Sequence, residues 1–200
     1  ALKYSQIKCA RRYAFFSKQT IILAPYLRFG RYFHTFVVGN RQKMHEEGNH
    51  RASTFVDIHT HHPRLGVLSP TMAGIHPWDA EQTLPMPNFA ECDIIGETGL
   101  DYVCGVNREA QERLFRIHLA EAARLNKPVV LHVVKAFEPA MRILGEYPLQ
   151  GVVFHGFVGS KQQATRAVNK GYYLSFGTRA LRSPRTREAL VATPLKQRFV

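Results

Sequence analysis

From residue 55 onward, the sequence alternates between short apolar runs and longer amphipathic segments. The apolar runs are rich in β-branched and aromatic residues and are predicted to form strands at 55–58, 71–76, 93–97, 129–133, 151–155 and 172–176. Amphipathic helices are predicted at about 108–125, 136–146, 160–169 and 185–192. Near-continuous apolar strands that alternate with helices are typical of a parallel sheet covered on its faces. The sequence therefore predicts an α/β fold built on a parallel sheet.

The predicted strands end in side chains that can bind a metal ion. His59 and His61 follow the first strand at a spacing that directs both imidazoles to one side of an extended chain. Right-handed crossovers bring the ends of parallel strands to one edge of the sheet, and in a (β/α) barrel the chemistry occurs at that edge. The side chains at or just beyond the later strand ends are those of His76, Glu97, His132 and His155.

Imidazole and carboxylate groups suit divalent zinc, manganese or magnesium. We expect one metal site from His59, His61 and Glu97. A second site would use His132 and His155, with Glu97 bridging the two ions. Such a pair, about 3.5–4 Å apart, can generate a hydroxide and stabilise the oxygens of a phosphoryl displacement. The alternative for any single buried histidine is an ordinary core residue.

The helix at about 108–125 carries two polar side chains in the middle of its apolar face, Gln111 and His118. Because buried polar groups need partners, we expect both to hydrogen-bond strand ends or ligands. Ordinary core polar residues with satisfied hydrogen bonds are the alternative.

Positive charge is concentrated in the first part of the chain. The net charge is +12, and residues 1–53 hold ten Lys/Arg against two acids, which gives +8. This balance favours an anionic partner such as nucleic acid or a membrane surface. We predict two regions, a basic and aromatic N-terminal extension at 1–53 and a metallohydrolase domain at 54–200. The extension is interpreted as a nucleic-acid-binding arm, as an organellar presequence, or as a segment outside the working domain, with the native chain starting at Met44.

Several classes are disfavoured by composition. The three cysteines are widely spaced and lack a C-x-x-C pair, which argues against a disulfide framework and favours a reducing, cytoplasmic setting. No apolar run approaches the roughly 20 residues of a membrane helix, and no secretory signal is recognisable. We therefore expect no membrane association, and no obligate protein partner is identifiable.

Seven short motifs occur along the chain in a specific order. They are Asp57-Ile58-His59-Thr60-His61, Gly74-Ile75-His76-Pro77, Gly96-Glu97-Thr98-Gly99-Leu100-Asp101-Tyr102, Gln111…Phe115…His118-Leu119-Ala120, Pro128-Val129-Val130-Leu131-His132, His155-Gly156-Phe157-Val158-Gly159-Ser160 and Gly171-Tyr172-Tyr173-Leu174-Ser175-Phe176-Gly177. Through these motifs, residues 55–200 resemble the TatD family of metal-dependent deoxyribonucleases, within the amidohydrolase-like TIM-barrel group. The short spacing is most similar to the compact bacterial branch of that family.

The resemblance implies a 3′–5′ exonuclease or a related phosphodiesterase that acts on DNA with two metal ions. It implies the ligand roles given above, with Glu97 and His76 as catalytic residues. His76 would contact a substrate phosphate or orient a ligand. Arg179 and Arg182 would face phosphates. Asp101 would either assist at the site or cap the following helix.

The chain departs from the family pattern in two places. Only about fifteen residues separate His61 from His76, so an early strand is expected to be lost or reduced to a loop. After Val200 the family continues into a last strand that ends in Glu-Thr-Asp, and this aspartate is a metal ligand. We therefore expect an incomplete barrel without its last strand. Two alternative functions remain: an amidohydrolase, esterase or lactonase with the same metal pair, and a catalytically inactive nucleic-acid-binding protein.

Overall fold

The computed structural model describes residues 22–23, 55–56, 67–68 and 70–200. The three two-residue segments form a small sheet of β1 (Ile22–Leu23), β2 (Phe55–Val56) and β3 (Val67–Leu68). β1 is antiparallel to β2, and β3 is parallel to it. The predicted ligands His59 and His61 lie outside the described residues.

A parallel sheet of six strands forms the centre of the described part of the chain. Its strands pair in the order of the sequence, and every pairing is parallel. They are β4 (Met72–Ala73), β5 (Ile94–Asp101), β6 (Val129–Val134), β7 (Val152–His155), β8 (Tyr173–Ser175) and β9 (Arg198–Phe199). The alternating strands and helices therefore form the parallel sheet that the sequence predicts.

Five α-helices connect or follow these strands. They are α1 (Arg108–Leu125), α2 (Phe137–Leu144), α3 (Lys161–Asn169), α4 (Arg179–Arg182) and α5 (Pro184–Ala192). α3 begins at a capping box, in which Ser160 and Gln163 satisfy each other's backbone N–H groups. Short 3₁₀ helices lie at Pro77–Asp79, Phe89–Glu91 and Leu195–Gln197.

The element boundaries differ from the sequence-based prediction most at four points. β4 covers only Met72–Ala73 and ends three residues before the predicted end at His76. β5 continues four residues beyond Glu97 and ends at Asp101. α4 was not predicted, because four residues are too few to show a helical period. Arg198 and Phe199 pair with β8 and form the short strand β9. No strand was predicted for these residues.

The central strands are buried on both faces. Val129, Val130 and Leu131 are consecutive in β6 and all three are inaccessible to solvent. This double burial explains why the strands read as continuous apolar runs. α1 packs against β5 and contributes Phe115 and Leu119 to the core. Burying each such side chain contributes about 1.5–3 kcal/mol to folding. The helices of the described ranges are all too short or too polar to span a bilayer.

Candidate metal centre

Three neighbouring strands supply the side chains of the candidate site. Glu97 lies in β5, and His132 lies in β6, where it pairs in register with Gly99 of β5. His76 follows β4 and is the N-cap of the 3₁₀ helix Pro77–Asp79. Because the strands are parallel and adjacent, these side chains reach the same part of the sheet.

His76, Glu97 and His132 each offer one ligand atom, and these atoms lie within 4.8 Å of one another. All three residues are partly buried. The Nδ1 atom of His132 is 3.4 Å from Oε1 of Glu97. Two imidazoles and a carboxylate fit a divalent ion such as zinc, and three protein ligands leave a position for water or substrate. The donor set therefore fits the metal that the sequence predicts.

A buried carboxylate lies on the other side of the His132 ring. Oδ2 of Asp101 is 3.0 Å from Nε2 of His132 and accepts a 2.8 Å hydrogen bond from the indole N–H of Trp78. Burial alone would raise the pKa of Asp101, but the hydrogen bonds that it accepts outweigh burial and keep this pKa below its usual value. Burial likewise works against the imidazolium of His132, but Asp101 and Glu97 outweigh it and raise the pKa of His132 to about 9.

The indole of Trp78 also packs against both histidines. The ring centroids of Trp78 and His76 are 4.6 Å apart, those of His76 and His132 are 4.4 Å apart, and all three pairs meet edge to face. Edge-to-face packing is a favourable geometry for aromatic rings. Trp78 was not predicted as a site residue, and its position directly after the His76-Pro77 pair was the only available signal.

The two buried polar side chains of α1 hydrogen-bond the backbone at the end of β5 and just beyond the end of β4, which agrees with the prediction made for them. Oε1 of Gln111 accepts a 2.7 Å hydrogen bond from the backbone N–H of Asp101, and its Nε2 donates to the Asp101 carbonyl at 2.9 Å. Nε2 of His118 accepts a 2.9 Å hydrogen bond from the N–H of Ile75. The residue before His76 and the residue that ends β5 are thus both hydrogen-bonded to α1.

Asp101 does not cap the helix that follows it, so that alternative is wrong. The N-cap of α1 is Asn107, whose Oδ1 accepts a hydrogen bond from the N–H of Ala110. The second carboxylate oxygen of Asp101 instead accepts a 3.0 Å hydrogen bond from the N–H of Val103. The carboxylate is therefore available to His132.

A glycine allows β5 and β6 to approach closely beside the site. A Cβ atom on Gly99 would lie 2.2 Å from the carbonyl oxygen of His132, and the φ angle of Gly99 is +141°. Side chains other than hydrogen are excluded at such a distance, and L residues rarely adopt this φ. The absence of a side chain at Gly99 thus contributes to the position of His132.

The structure brings together some of the predicted site residues and not others. His76, expected beside the metal, has a ring nitrogen in the same group as Glu97 and His132. His155 is the register partner of His132, but within residues 70–200 it is not part of that group, and its Nδ1 lies 3.4 Å from the Ser175 hydroxyl. The predicted phosphate-binding residues lie at the two ends of α4, exposed to solvent: Arg179 and Arg182.

Comparison with known proteins identifies similar sequences and folds. The family model for TatD-related DNases matches residues 51–200. The chain is 34% identical over 113 residues to the 3′-5′ ssDNA/RNA exonuclease TatD of Salmonella typhimurium, which covers 51% of the chain and 44% of that protein. It is 36% identical over 86 residues to an uncharacterized metal-dependent hydrolase, YabD, of Bacillus subtilis, which covers 42% of the chain and 34% of that protein. The chain therefore spans less than half the length of these relatives.

A solved structure supports the same fold. A TatD homologue from Escherichia coli K12 superimposes with a TM-score of 0.56 at 27% identity, over 68% of this chain and 57% of that one. This likeness confirms the predicted (β/α) barrel type of α/β fold.

Proposed function

The chain belongs to the family of TatD-related DNases, and from this premise we propose that it contributes to a metal-dependent hydrolase that cleaves phosphodiester bonds in DNA. The proposed cleavage proceeds from the 3′ end, because the similar Salmonella protein is named a 3′-5′ exonuclease. The observation that carries the proposal is the convergence of His76, Glu97 and His132, whose ligand atoms lie within 4.8 Å of one another.

The proposed cofactor is a pair of divalent ions, Mg²⁺, Mn²⁺ or Zn²⁺. When bound, such ions supply a Lewis acid and an activated water for attack on phosphorus. Glu97 is the proposed bridging ligand, His59 and His61 complete one site, and His132 and His155 hold the other. His76, which lies against both His132 and Trp78, either joins the ligands or contacts the scissile phosphate.

The proposed substrate contacts come from the basic C-terminal part of the chain. Residues 161–200 contain nine Lys/Arg and one acid, Glu188. Arg179 and Arg182 are exposed and follow the carboxyl end of β8, the edge of the sheet to which Glu97 and His132 also belong. Cationic side chains at this edge can bind the phosphates of a single strand.

We assign the metallohydrolase domain to residues 54–200 and regard residues 1–53 as an appended basic segment. A reducing, cytoplasmic setting is part of the proposal. Its support is that the three cysteines of the chain are widely spaced and lack a C-x-x-C pair.

A nuclease assay tests the proposed activity. The purified chain is incubated with a single-stranded DNA oligonucleotide labelled at its 5′ end, in the presence of Mg²⁺, Mn²⁺ or Zn²⁺. We expect a ladder of products shortened from the 3′ end that disappears when EDTA is added. Glu97→Gln should lower the rate by more than about 100-fold, since loss of an outer-shell partner alone typically costs 10–100-fold.

Glu121→Gln is the matched control, because Glu121 makes only an exposed ion pair with Arg124 on α1. Cleavage that survives EDTA, or equal rates in the two glutamine variants, would contradict the proposal. Elemental analysis after metal loading should give two ions per chain, and fewer in Glu97→Gln.

A further inference from the structure

We propose that Asp101, itself held by Trp78, is a positioning residue that fixes the ring of His132 so that its Nδ1 atom is the one presented to the metal. The inference rests on the proposed function, because it assigns the supporting contacts of the same metal centre. It concerns Asp101 and Trp78, which are not among the proposed metal ligands.

The hydrogen-bond donors around Asp101 determine which nitrogen of His132 carries a hydrogen. The indole N–H of Trp78 can only donate, so the Oδ2 atom that it meets at 2.8 Å is an acceptor. The same oxygen lies 3.0 Å from Nε2 of His132, and an ionised carboxylate has no hydrogen to give. Nε2 must therefore be the donor in this contact.

The metal-binding nitrogen of His132 follows from that contact. Nε2 keeps its hydrogen whether or not the ring is charged, so Nδ1 is the nitrogen that gives up its hydrogen and offers a lone pair to a metal. Nδ1 is the atom that lies 3.4 Å from Oε1 of Glu97. The nitrogen that can become the metal ligand is thus the one on the Glu97 side of the ring. A carboxylate that orients a metal-binding histidine in this way also increases the basicity of the ligand.

The position of the Asp101 carboxylate is itself strongly restrained. The residue is 1% exposed, and its other oxygen accepts the N–H of Val103 at 3.0 Å. Gln111 binds both the backbone N–H and the carbonyl of Asp101. Rotation of the carboxylate would break the contacts to Trp78 and Val103 together, so Asp101 presents a fixed acceptor to His132.

Nitrogen NMR of the histidine rings in the wild-type chain, recorded with and without Zn²⁺, tests which nitrogen of His132 binds the metal. With ¹⁵N-labelled histidine, we expect His132 to show a hydrogen-bonded Nε2–H and, after titration with Zn²⁺, a shift at Nδ1. The resonance is assigned with the variant His132→Gln. A metal-induced shift at Nε2, with the hydrogen on Nδ1, would overturn the inference.

Metal affinity, measured by calorimetry with Zn²⁺, tests the roles of the two supporting residues. Asp101→Asn should weaken binding by about 10–100-fold, the usual effect of removing an outer-shell partner. Trp78→Phe removes the N–H but keeps an aromatic ring, so it should weaken binding less than Asp101→Asn does. If Asp101→Asn destabilises the fold, Trp78→Phe still tests the proposal. A smaller but measurable loss of Zn²⁺ affinity in Trp78→Phe supports the role of Asp101 in positioning His132.

Asp93→Asn is the matched control at the opposite end of the same strand. Asp93 immediately precedes β5 and accepts hydrogen bonds from the N–H and hydroxyl of Thr71 at 2.8 and 2.7 Å. The Asp93→Asn variant should bind Zn²⁺ with the same affinity as the wild type. If Asp101→Asn and Trp78→Phe also bind like the wild type, this inference fails and the metal centre stands. If the wild type binds no metal, the proposed function fails and the inference fails with it.

Discussion

Polar side chains inside the apolar face of α1 connect the helix to the site. His118 is fully buried, donates from Nδ1 to the carbonyl of Leu114 and accepts the Ile75 N–H at Nε2. This pair of contacts requires a neutral ring, because a second hydrogen on Nε2 would remove the acceptor. His76, a member of the group that could hold a metal ion, directly follows Ile75 in the chain.

The neutral state of His118 predicts a loss of stability in mild acid. Burial lowers the pKa of His118 below its usual 6.5 in the folded chain. As pH falls below about 6.5, the unfolded chain takes up this proton before the folded chain does, so the contribution to stability is complete above that pH and declines below it. The free energy of unfolding, measured with urea, should differ less between pH 7.5 and pH 5.5 in His118→Gln than in the wild type. An equal difference would contradict this assignment.

Removing the Gln111 amide should destabilise the chain without altering its volume greatly. Gln111→Met leaves the buried N–H of Asp101 without its acceptor, and an orphaned group of this kind costs about 1–3 kcal/mol in the free energy of unfolding. The control is Gln162→Met on α3, an exposed position where the change should lie within about 0.5 kcal/mol. The measurement is the denaturant midpoint, and equal values for both variants would refute this role.

At the scale of secondary-structure elements, the contact between β5 and β6 sets the geometry of the centre. The two strands carry Glu97 and His132, and Gly99 faces His132 in the pairing register. The strands are held at a separation that only a glycine permits at that point.

Gly99→Ala should therefore both destabilise the fold and weaken metal binding. The added methyl group would lie 2.2 Å from the His132 carbonyl oxygen, so the strands must move apart. We expect a loss of at least about 3 kcal/mol, the upper part of the usual range for overpacking. At Gly177 a Cβ atom would meet nothing within 4 Å, so Gly177→Ala should change stability by less than about 0.5 kcal/mol. Comparable unfolding midpoints for the two variants would show that the strand contact is not restrictive.

The elements themselves were largely predictable because their signals are local. The period of α1 and the apolar runs of β6 and β7 set their limits to within about one residue. Parallel topology then predicts that Glu97 and His132 lie near each other. The C-terminal boundary of β5 was less accessible, because Gly99 is of a residue type that disfavours strands, whereas β5 uses it for close pairing with β6.

The contacts within the site depend on information that periodicity does not contain. Trp78 reaches Asp101 because Pro77–Asp79 forms a 3₁₀ turn, and the direction of that turn depends on tertiary packing. The ring of His155 lies near Ser175 and outside the group of His76, Glu97 and His132, and its position in the strand does not specify this contact. Sequence thus predicts which strand ends meet, but not which atoms face each other.

At the scale of the whole molecule, a metal would join three strands that are distant in sequence. His76 follows β4, whereas Glu97 lies within β5 and His132 within β6. A ligand that binds only the folded state stabilises it, by about 2.7 kcal/mol at one hundred times its dissociation constant. Thermal unfolding with Mn²⁺ or Zn²⁺ should shift upward and return to its starting value with EDTA.

Glu97→Gln should lose most of this metal-induced shift, because it removes a charged ligand. Glu138→Gln should retain it, since Glu138 is exposed and pairs with Arg166 away from the metal-binding group. A shift of equal size in both variants would place the bound metal elsewhere in the chain.

The basic C-terminal part predicts salt-dependent binding of nucleic acid. Each cation that neutralises a phosphate on a single strand contributes about −0.7 to the slope of log K against log salt. Arg182→Gln should reduce the steepness of that slope by about this amount for a single-stranded oligonucleotide. Arg124→Gln should leave it unchanged, because Arg124 pairs with Glu121 on α1. Fluorescence anisotropy with a labelled oligonucleotide measures both, and identical slopes would exclude Arg182 from the interface.

The contact of Trp78 with both histidines has an optical consequence. Trp78 is the only tryptophan among the 200 residues, and its indole lies edge to face with His76 and His132. All intrinsic indole emission of the protein therefore originates beside the candidate centre. Occupation of the centre, or a change in the charge of either imidazole, should alter the intensity of that emission. The chain thus carries a built-in fluorescent reporter of its own metal loading, without any label.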